Sequence, residues 1–302
     1  MRSLAKVGII VLHYNGLEDT VECVKSLLQN LEGEYRIFVV DNCSTDNSYQ
    51  SLQSESVVQN KKVELLQTDQ NRGFSAGNNH GAKYAMMHYK PDYFWFLNND
   101  TSVRDKILPD LIQFYRQQAK MGILGVKLKL YHQQNLIQAI GGEFLKHKAR
   151  LKQIGFMQKD NHQFDYFTEP VDFVIGASMF VSKEFIEEVG LLSEDYFLFY
   201  EELDWAIRAK RKGYLCYTNT KVEVLHKQGK ATGNRGDKKK SKRAMFYQFR
   251  NLILIYKKYF PALVFLPIIV VSLRSLKFAV LRDPNYLQLW FKVLFNLKNN
   301  YD

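Results

Sequence analysis

Cysteine is scarce in this chain: Cys23, Cys43 and Cys216 are the only three in 302 residues, far apart and without a CxxC pair. That spacing argues against a disulfide framework or a cysteine-based structural zinc site and fits a reducing compartment. The glycine-rich stretch NRGFSAGNNHG (71–81) is neither a Walker loop nor GxGxxG, so the usual phosphate-loop and dinucleotide readings lack support. The longest uncharged run, residues 259–273, has fifteen residues and two prolines. A spanning helix needs about 20 apolar residues, so this run is short for one. Internal repeats and low-complexity segments are also missing. The N-terminus MRSLAKVGIIVLHYNG has a basic start and a short apolar run, but His13-Tyr14-Asn15 stand where a cleavage site would need small residues, which favours a first core strand.

Acidic residues are sparse in the last quarter. Residues 227–302 hold 16 Lys and Arg against 3 Asp and Glu, a net of +13. The whole chain carries +11, so residues 1–226 are left near neutrality at −2. The basic character therefore belongs to a C-terminal piece, as suits an anionic surface. Hydrophobic residues make up 46%, enough for one large α/β core with an appendage.

The stretch YFWFLNNDT (93–101) organises the remainder. Five unbroken apolar residues give way abruptly to Asn98-Asn99-Asp100. Such a run reads as a strand buried on both faces of a covered, mainly parallel sheet, and ligands sit beyond the carboxyl ends of strands in such sheets. Asn and Asp there also serve as helix caps, before a helix expected over 107–121.

Other strands are expected at VGIIVLH (7–13), YRIFVVD (35–41), 63–66, 126–130, FVIGASMFV (173–181), 215–217 and 222–226. Helices are expected over 17–31, 46–52, from NRGFSAGNNHG to about Tyr89, and over 201–211. Residues 131–170 read as twisted hairpins or loops near an acceptor. Strands alternating with helices give a βαβ arrangement.

Several residues could carry chemistry. Asp41, followed by Asn42, Ser44 and Asp46, either bonds local backbone or accepts from a pyrimidine N–H. Arg72 could face a base or a phosphate. Gly73 permits unusual backbone angles, while Gly77 and Gly81 would let a helix approach the sheet or a ligand closely. In YFLFYEELDWAIR (196–208), Glu201 and Asp204 share a helix face, and Asp204 pairs with Arg208 at i,i+4. The flanking aromatics imply a semi-buried carboxylate of raised pKa, suited to a general base. His226 ends VEVLH, and a strand-end position opposite Asp100 would let it complete a metal site.

These pieces occur in an order that resembles family 2 of the inverting glycosyltransferases, in its bacterial rhamnosyltransferase-like branch that builds surface polysaccharides. The resemblance rests on VLHYNG, VVDNCSTDNS, NRGFSAGNNHG, FLNNDT, FVIGASMFV, YEELDWAIRAKRKGY and VLHKQG, spanning about residues 5–230. It implies the GT-A fold, with a Rossmann-like mixed central sheet, flanking helices and a C-terminal helical extension. Domain bounds follow as 1–236 for catalysis and 237–302 for the extension.

The resemblance also implies roles. Asp41 and Arg72 match positions that contact the nucleotide base, and Asn98 one that contacts the ribose; Asn15, Asn42, Gly73, Asn78 and Asn99 complete the expected donor-binding set. Asp100 matches the metal-binding end of an Asp-x-Asp motif that reads Asn-Asn-Asp here, leaving metal binding to Asp100, the donor diphosphate, His226 and waters. Glu202 matches the catalytic base, with Asp204 in reserve. The implied cofactor is Mg²⁺ or Mn²⁺. The implied donor is a dTDP- or UDP-linked sugar, with rhamnose suggested by the branch, and the acceptor is a glycan or a lipid-linked hydroxyl.

The basic, aromatic and aliphatic C-terminal piece, with Arg274, Lys277 and Arg282, suits amphipathic helices lying on an anionic membrane from the cytoplasmic side. Packing on the catalytic domain or on a twin subunit in a homodimer is the alternative. A nucleotidyltransferase would show a Gly-rich basic N-terminal loop, which GIIVLHYNG lacks. A nucleic-acid-binding protein is disfavoured by the interleaved aliphatics, so no nucleic acid is expected as partner. A catalytically inactive sugar-nucleotide-binding scaffold stays open because of the reduced Asn-Asn-Asp motif.

Overall fold

The computed structural model describes residues 5–228, 241–281 and 283–295. The expected boundary between 236 and 237, the basic residues 238–240 and Arg282 lie outside the described residues. The chain begins β1 (Lys6–His13), α1 (Leu17–Asn30), β2 (Glu34–Asp41), α2 (Ser48–Ser54), β3 (Val63–Gln67), α3 (Phe74–His88) and β4 (Tyr93–Asn98). It continues through β5 (Thr101–Ser102), α4 (Leu108–Gln117), β6 (Met121–Leu130), β7 (Gln133–Ala139), β8 (Gly142–Leu145), β9 (Arg150–Gln153) and β10 (Ser178–Ser182). Then come α5 (Lys183–Val189), α6 (Glu201–Arg211), β11 (Leu215–His226), α7 (Lys242–Tyr259), α8 (Phe265–Leu281) and α9 (Tyr286–Phe295).

One mixed sheet runs β3-β2-β1-β4-β10-β6-β11-β5, with β7 paired to β6. Strands β1 to β4 are parallel, β10 runs antiparallel between β4 and β6, and β11 lies parallel to β6. This is the GT-A architecture. The unbroken apolar runs are explained by burial on both faces. Ile10, Phe38, Val40, Phe94 and Phe96 join one core with Ala82 and Ala85 of α3 and Trp205 of α6. Ile9, Val11, Ile37, Val39, Trp95 and Leu97 join the other with Val24 and Leu27 of α1 and Leu111 of α4. Gly77 and Gly81 serve the approach of α3 to the sheet: an added Cβ would meet Leu12 Cδ1 at 2.4 Å or Val40 Cγ2 at 2.6 Å.

Three expected bounds shift. Helix α4 stops at Gln117, since Met121 and its apolar neighbours are drawn into a ten-residue β6. Only the last four residues of FVIGASMFV are strand, in β10 (Ser178–Ser182), because Phe173 is held by an isolated bridge to Gly142 and Ser178 N–H turns back to Ile175 O. The two short strands near 215 and 222 are one β11, with a register shift between Asn219 and Glu223. Hairpins are found as expected in 131–170, with β8 and β9 forming a separate two-stranded sheet.

Helix α7 packs against β4 and α6: Phe246, Tyr247, Phe249, Ile253 and Tyr256 share a core with Phe96 and Trp205. Helix α8 leaves Phe265, Ile269, Leu273, Leu276 and Val280 exposed, one stripe at helical spacing. With the short helical turn before it, the segment Pro261–Leu281 has 21 residues and mean hydropathy 2.0. It is long and apolar enough to cross a membrane by length and composition, because the helix runs on through Arg274 and Lys277, past the end of the uncharged stretch.

Candidate active site

The parallel strands deliver the first site residues at their carboxyl ends. After β4 the chain turns through Asn98–Asp100 into β5, which pairs antiparallel with the end of β11, His226 against Thr101. Lys227 N–H donates to Asp100 O at 2.9 Å and locks this register. His226 Nε2 is thereby set 3.0 Å from Asp100 Oδ1, although 126 positions separate the two residues. Gln138 Oε1 on β7 accepts from His226 Nδ1 at 2.8 Å. That bond puts the neutral ring's free lone pair on Nε2, which then meets a carboxylate oxygen. Two acceptors at this distance call for a proton or a cation between them. Burial pushes the Asp100 carboxyl up, but the charge and hydrogen bond of His226 outweigh it and hold it below the usual carboxylate range.

The other wall comes from the start of α6. Phe199 and Tyr200 have φ of 70° and 74°, left-handed values that are costly for aromatic residues. Asn251 of α7 supports the turn by donating to Leu198 O and Phe199 O, both at 2.9 Å. The turn presents Glu201 and Glu202, and each has a buried Oε2 that accepts no hydrogen bond from the described residues. Burial, aided by the Glu202 charge, raises the Glu201 pKa well above the carboxylate range. Burial likewise pushes Glu202 up to about 7, with backbone N–H donors opposing.

Asp204 is placed differently. It is fully buried and accepts from Tyr259 OH at 2.6 Å, Lys258 Nζ at 2.9 Å, Arg208 Nε at 2.8 Å and Tyr196 OH at 3.2 Å. It takes no part in the wall of the hollow described below.

Of the remaining expected donor residues, Asn15, Asn42, Arg72 and Gly73 lie in the loops after β1, β2 and β3, Asp41 closes β2, Asn78 is in α3 and Asn99 is in the turn after β4. Asn15 bonds Ser44 Oγ and Thr45. Asn42 donates to Asn71 Oδ1 and Gly73 O. Asp41 has no exposed surface: its carboxylate accepts from Ser44 N–H and from Gln67 Nε2 at 3.0 Å, and His13 Nε2 lies 3.7 Å away. A base N–H reaching Asp41 must therefore displace Gln67. Asn78 donates to Phe74 O, Asn99 to Thr20 Oγ1, and Arg72 is exposed, 3.6 Å from Asp69. At Gly73, φ is +94° and an added Cβ would lie 2.2 Å from Phe197 O, so only glycine fits between this loop and the α6 approach.

A hollow of about 420 Å³ joins the two walls. Asn98, Asp100, His226, Glu201 and Glu202 line it together; Asn15, Asp41, Asn42, Arg72, Gly73, Asn78 and Asn99 do not. Arg150, Gln153, Gln248 and Arg274 also face it and were not picked out from the sequence as site residues. Neither was Gln138, which orients His226; a hairpin glutamine carries no local signal of that task. Among the described residues no three His, Cys, Asp or Glu gather as a metal-holding group. Asp100 and His226 offer one oxygen and one nitrogen, a set that suits a hard cation only when substrate phosphates and water complete the shell.

Comparison with known proteins agrees with this architecture. The Glycosyl transferase family 2 profile matches residues 8–190. The low-salt glycan biosynthesis hexosyltransferase of Haloferax volcanii is 22% identical over 225 residues, covering 74% of this chain and 68% of the relative. The mannosyltransferase PcManGT from Pyrobaculum calidifontis, solved with GDP-Man and Mn²⁺, superposes with TM-score 0.57 at 14% identity, over 98% of this chain and 75% of that one. A GalNAc-T7 structure solved with UDP, GalNAc and Mn²⁺ gives 0.62 at 13% identity over 75% of this chain, which spans 44% of that longer protein. At these identities the structural likeness speaks for the fold.

Proposed function

This chain belongs to Glycosyl transferase family 2, and from that premise we propose that it moves a sugar from a nucleoside-diphosphate donor to an acceptor hydroxyl, with inversion at the anomeric carbon. The observation that carries the reading is the convergence of Asp100, His226 and Glu202 on one hollow from three separate parts of the chain. Glu202, rather than Asp204, takes the role of base. It faces the hollow with an unengaged oxygen, whereas Asp204 has both oxygens occupied by the anchors of α6 and α7. A carboxylate with a pKa near neutrality can remove the acceptor's proton as its oxygen attacks. Asn98, beside His226, is positioned for the donor.

Asp100 Oδ1 and His226 Nε2 would hold Mg²⁺ or Mn²⁺ together with the donor diphosphate, and the metal would supply charge neutralisation of the leaving nucleoside diphosphate. Gln138 keeps the imidazole in the tautomer this requires. The nucleotide is assigned to the loops after β1 to β3, as a dTDP- or UDP-linked sugar, with rhamnose as one candidate and surface polysaccharide as the product. The bare stripe on α8 would rest on the cytoplasmic face of an anionic membrane.

Two experiments test this. Release of nucleoside diphosphate from a panel of nucleotide sugars, with Mg²⁺, with Mn²⁺ and with chelator, should single out one donor and show a metal requirement. No release from any donor would favour the inactive scaffold, the reading that the single carboxylate of Asn-Asn-Asp keeps open. Vesicle flotation should compare the full chain with Ile269→Ser/Leu273→Ser; truncation near 236 would strip away core residues of α7 and answer nothing. Equal lipid binding by both would remove the membrane assignment.

A further inference from the structure

A second hollow, of about 690 Å³, opens beside α6 and shares no lining residue with the catalytic one. Small-molecule sites span about 300–1,000 Å³, so its size suits a ligand. Leu203, Ala206, Ile207, Lys210 and Arg211 enter it from α6 at the i, i+3, i+4, i+7 and i+8 spacing of one helix face. The rest of the lining comes from Phe144 and Leu145 of β8, the helical turn Lys146–Lys148, Asp172, and Phe260 just after α7. The apolar members are buried or half-buried and make the floor. Lys146, His147, Lys148, Lys210 and Arg211 are exposed and make the rim.

Contacts behind the lining hold it in place. The Phe144 ring packs against Tyr256 and Phe260 with centroids 5.8 and 5.7 Å away, and the Tyr256 hydroxyl donates to Lys146 O in the turn. Arg211 lies over the Tyr259 ring, 4.6 Å from its centroid. The rim is electrically one-sided, with Lys146, Lys148, Lys210 and Arg211 set against the single carboxylate of Asp172. That carboxylate is already engaged, by Phe144 N–H at 2.9 Å and by Lys210 at 3.9 Å. Among the described residues neither Lys146 nor Lys148 has a carboxylate within ion-pair reach, whereas Lys152 on β9 of the same hairpin pairs with Glu143 at 3.1 Å.

An apolar floor under uncompensated cations complements a ligand with an anionic head and a hydrocarbon body. Phe260 ties the hollow to the rest of the C-terminal piece: Pro261–Leu263 lead from it to Phe265, where the bare stripe of α8 begins. We propose that this hollow binds one anionic phospholipid, its phosphate on Lys146 and Lys148 and its chain over Leu203, Ile207 and Phe260. The lipid is held there and is not a reactant, since none of the residues assigned to sugar transfer lines the hollow. The site gives the chain a preference for lipid class that an apolar stripe alone does not supply, and it is independent of donor, metal and acceptor.

The test is calorimetric titration of the full chain, with chelator present, by dihexanoyl phosphatidic acid, dihexanoyl phosphatidylcholine and inorganic phosphate, the lipids below their micelle concentrations. Phosphatidic acid should bind at one site and at least roughly tenfold tighter than either of the others, the margin expected of charge-assisted hydrogen bonds. Lys146→Gln/Lys148→Gln should bring it down to the level of phosphatidylcholine. Lys61→Gln/Lys62→Gln, which removes the same charge from exposed positions outside the hollow, should not. Ile207→Trp fills the floor and should weaken both lipids. Ile269→Ser/Leu273→Ser should leave binding of these single lipids intact, so the membrane assignment of α8 is judged separately. Equal binding of the two lipids would overturn the proposal, and so would phosphate binding as tightly as phosphatidic acid, which marks a free-anion site. Equal losses from the two lysine pairs would show diffuse charge attraction, and loss in the α8 variant would put the lipid on the stripe; either result sinks it. Absence of binding by all three probes would leave the hollow to another kind of partner and sinks it too. The four lysines are exposed, and unchanged thermal melts would show those variants folded.

Discussion

Tyr259 donates its hydroxyl to Asp204 Oδ1 at 2.6 Å, and Lys258 Nζ reaches the same oxygen at 2.9 Å. The C-terminal helix α7 thus grips the helix that carries the proposed base, through one fully buried carboxylate. Arg208 on Oδ2, itself bonded to Val189 O and Leu191 O, extends the grip to the end of α5 and the loop beyond it. Burial alone would raise the Asp204 pKa; the hydrogen bonds from Tyr259, Lys258 and Arg208 outweigh it and lower the value.

Asp204→Asn should therefore destabilise the fold by about 3–5 kcal/mol near neutral pH, the usual cost of breaking a buried charge network from one side. The sign with pH follows from the lowered value. The stabilisation is complete above the unfolded aspartate pKa of about 3.9 and is lost as pH falls through the folded one. Thermal melts of both proteins from about pH 7 to about pH 3 should show the gap in Tm closing in acid. A constant gap across that range would mean the carboxylate's charge contributes nothing.

Glu202→Gln should lower transfer by roughly 10²- to 10⁴-fold with the fold intact, the range for loss of a general base. In the unaltered protein, kcat/KM for the acceptor should rise with pH through about 7, since the proton must leave Glu202 before it can act. The same raised value gives the opposite trend in stability. Keeping Glu202 neutral favours the fold below its unfolded pKa, and that contribution is lost as pH rises through about 7. A flat rate profile between about pH 5 and pH 8 would reject the assignment.

The fold was largely legible because the strands are continuous apolar runs and the polar clusters follow their ends, as at Phe94–Leu97 and Asn98–Asp100. The pairing of Asp100 with His226 was also open to reading, since Asp100 follows the end of β4 and His226 closes β11. Register was not: residues 173–177 are as apolar as β10, and the bridge from Phe173 to Gly142 and the turn of Ser178 back to Ile175 keep them out of the sheet. The positions of Arg150, Gln138 and Arg274 depend on how a hairpin and a C-terminal helix fold back over the site, and one sequence carries no periodicity for such long-range contacts. In the stretch Glu201–Asp204 the sequence offered three carboxylates on one turn. Their different tasks emerge only when Tyr259 and Lys258, more than fifty positions away, are seen on one of them.

Asp100→Ala and His226→Ala should each raise the metal concentration needed for half-maximal transfer, by roughly 10- to 100-fold for the orienting contact as well, so that Gln138→Leu shows a similar loss without touching the metal. Titration of chelated protein with Mn²⁺ in the presence of a nucleoside diphosphate checks all three. Identical titrations for the three variants and the unaltered chain would place the cation elsewhere.

Asn251 gives the remaining test of how α7 serves the site. Its amide holds Leu198 O and Phe199 O, directly ahead of two consecutive left-handed aromatic residues. Without those two bonds, the turn has less to offset the strain of Phe199 and Tyr200, each costing on the order of 1–3 kcal/mol. Asn251→Ala should cost about 1–3 kcal/mol of stability, because two carbonyls at a buried helix contact lose their donor. The larger effect should fall on kcat. Relaxation of Tyr200 toward ordinary backbone angles moves Glu202 within the hollow it shares with Asp100, while the loops after β1 to β3 keep their own bonds and the nucleotide-binding role proposed for them. Steady-state kinetics should accordingly show kcat reduced well beyond any change in donor KM. An equal rise in donor KM with kcat preserved would show that the turn positions the donor and leaves the base alone.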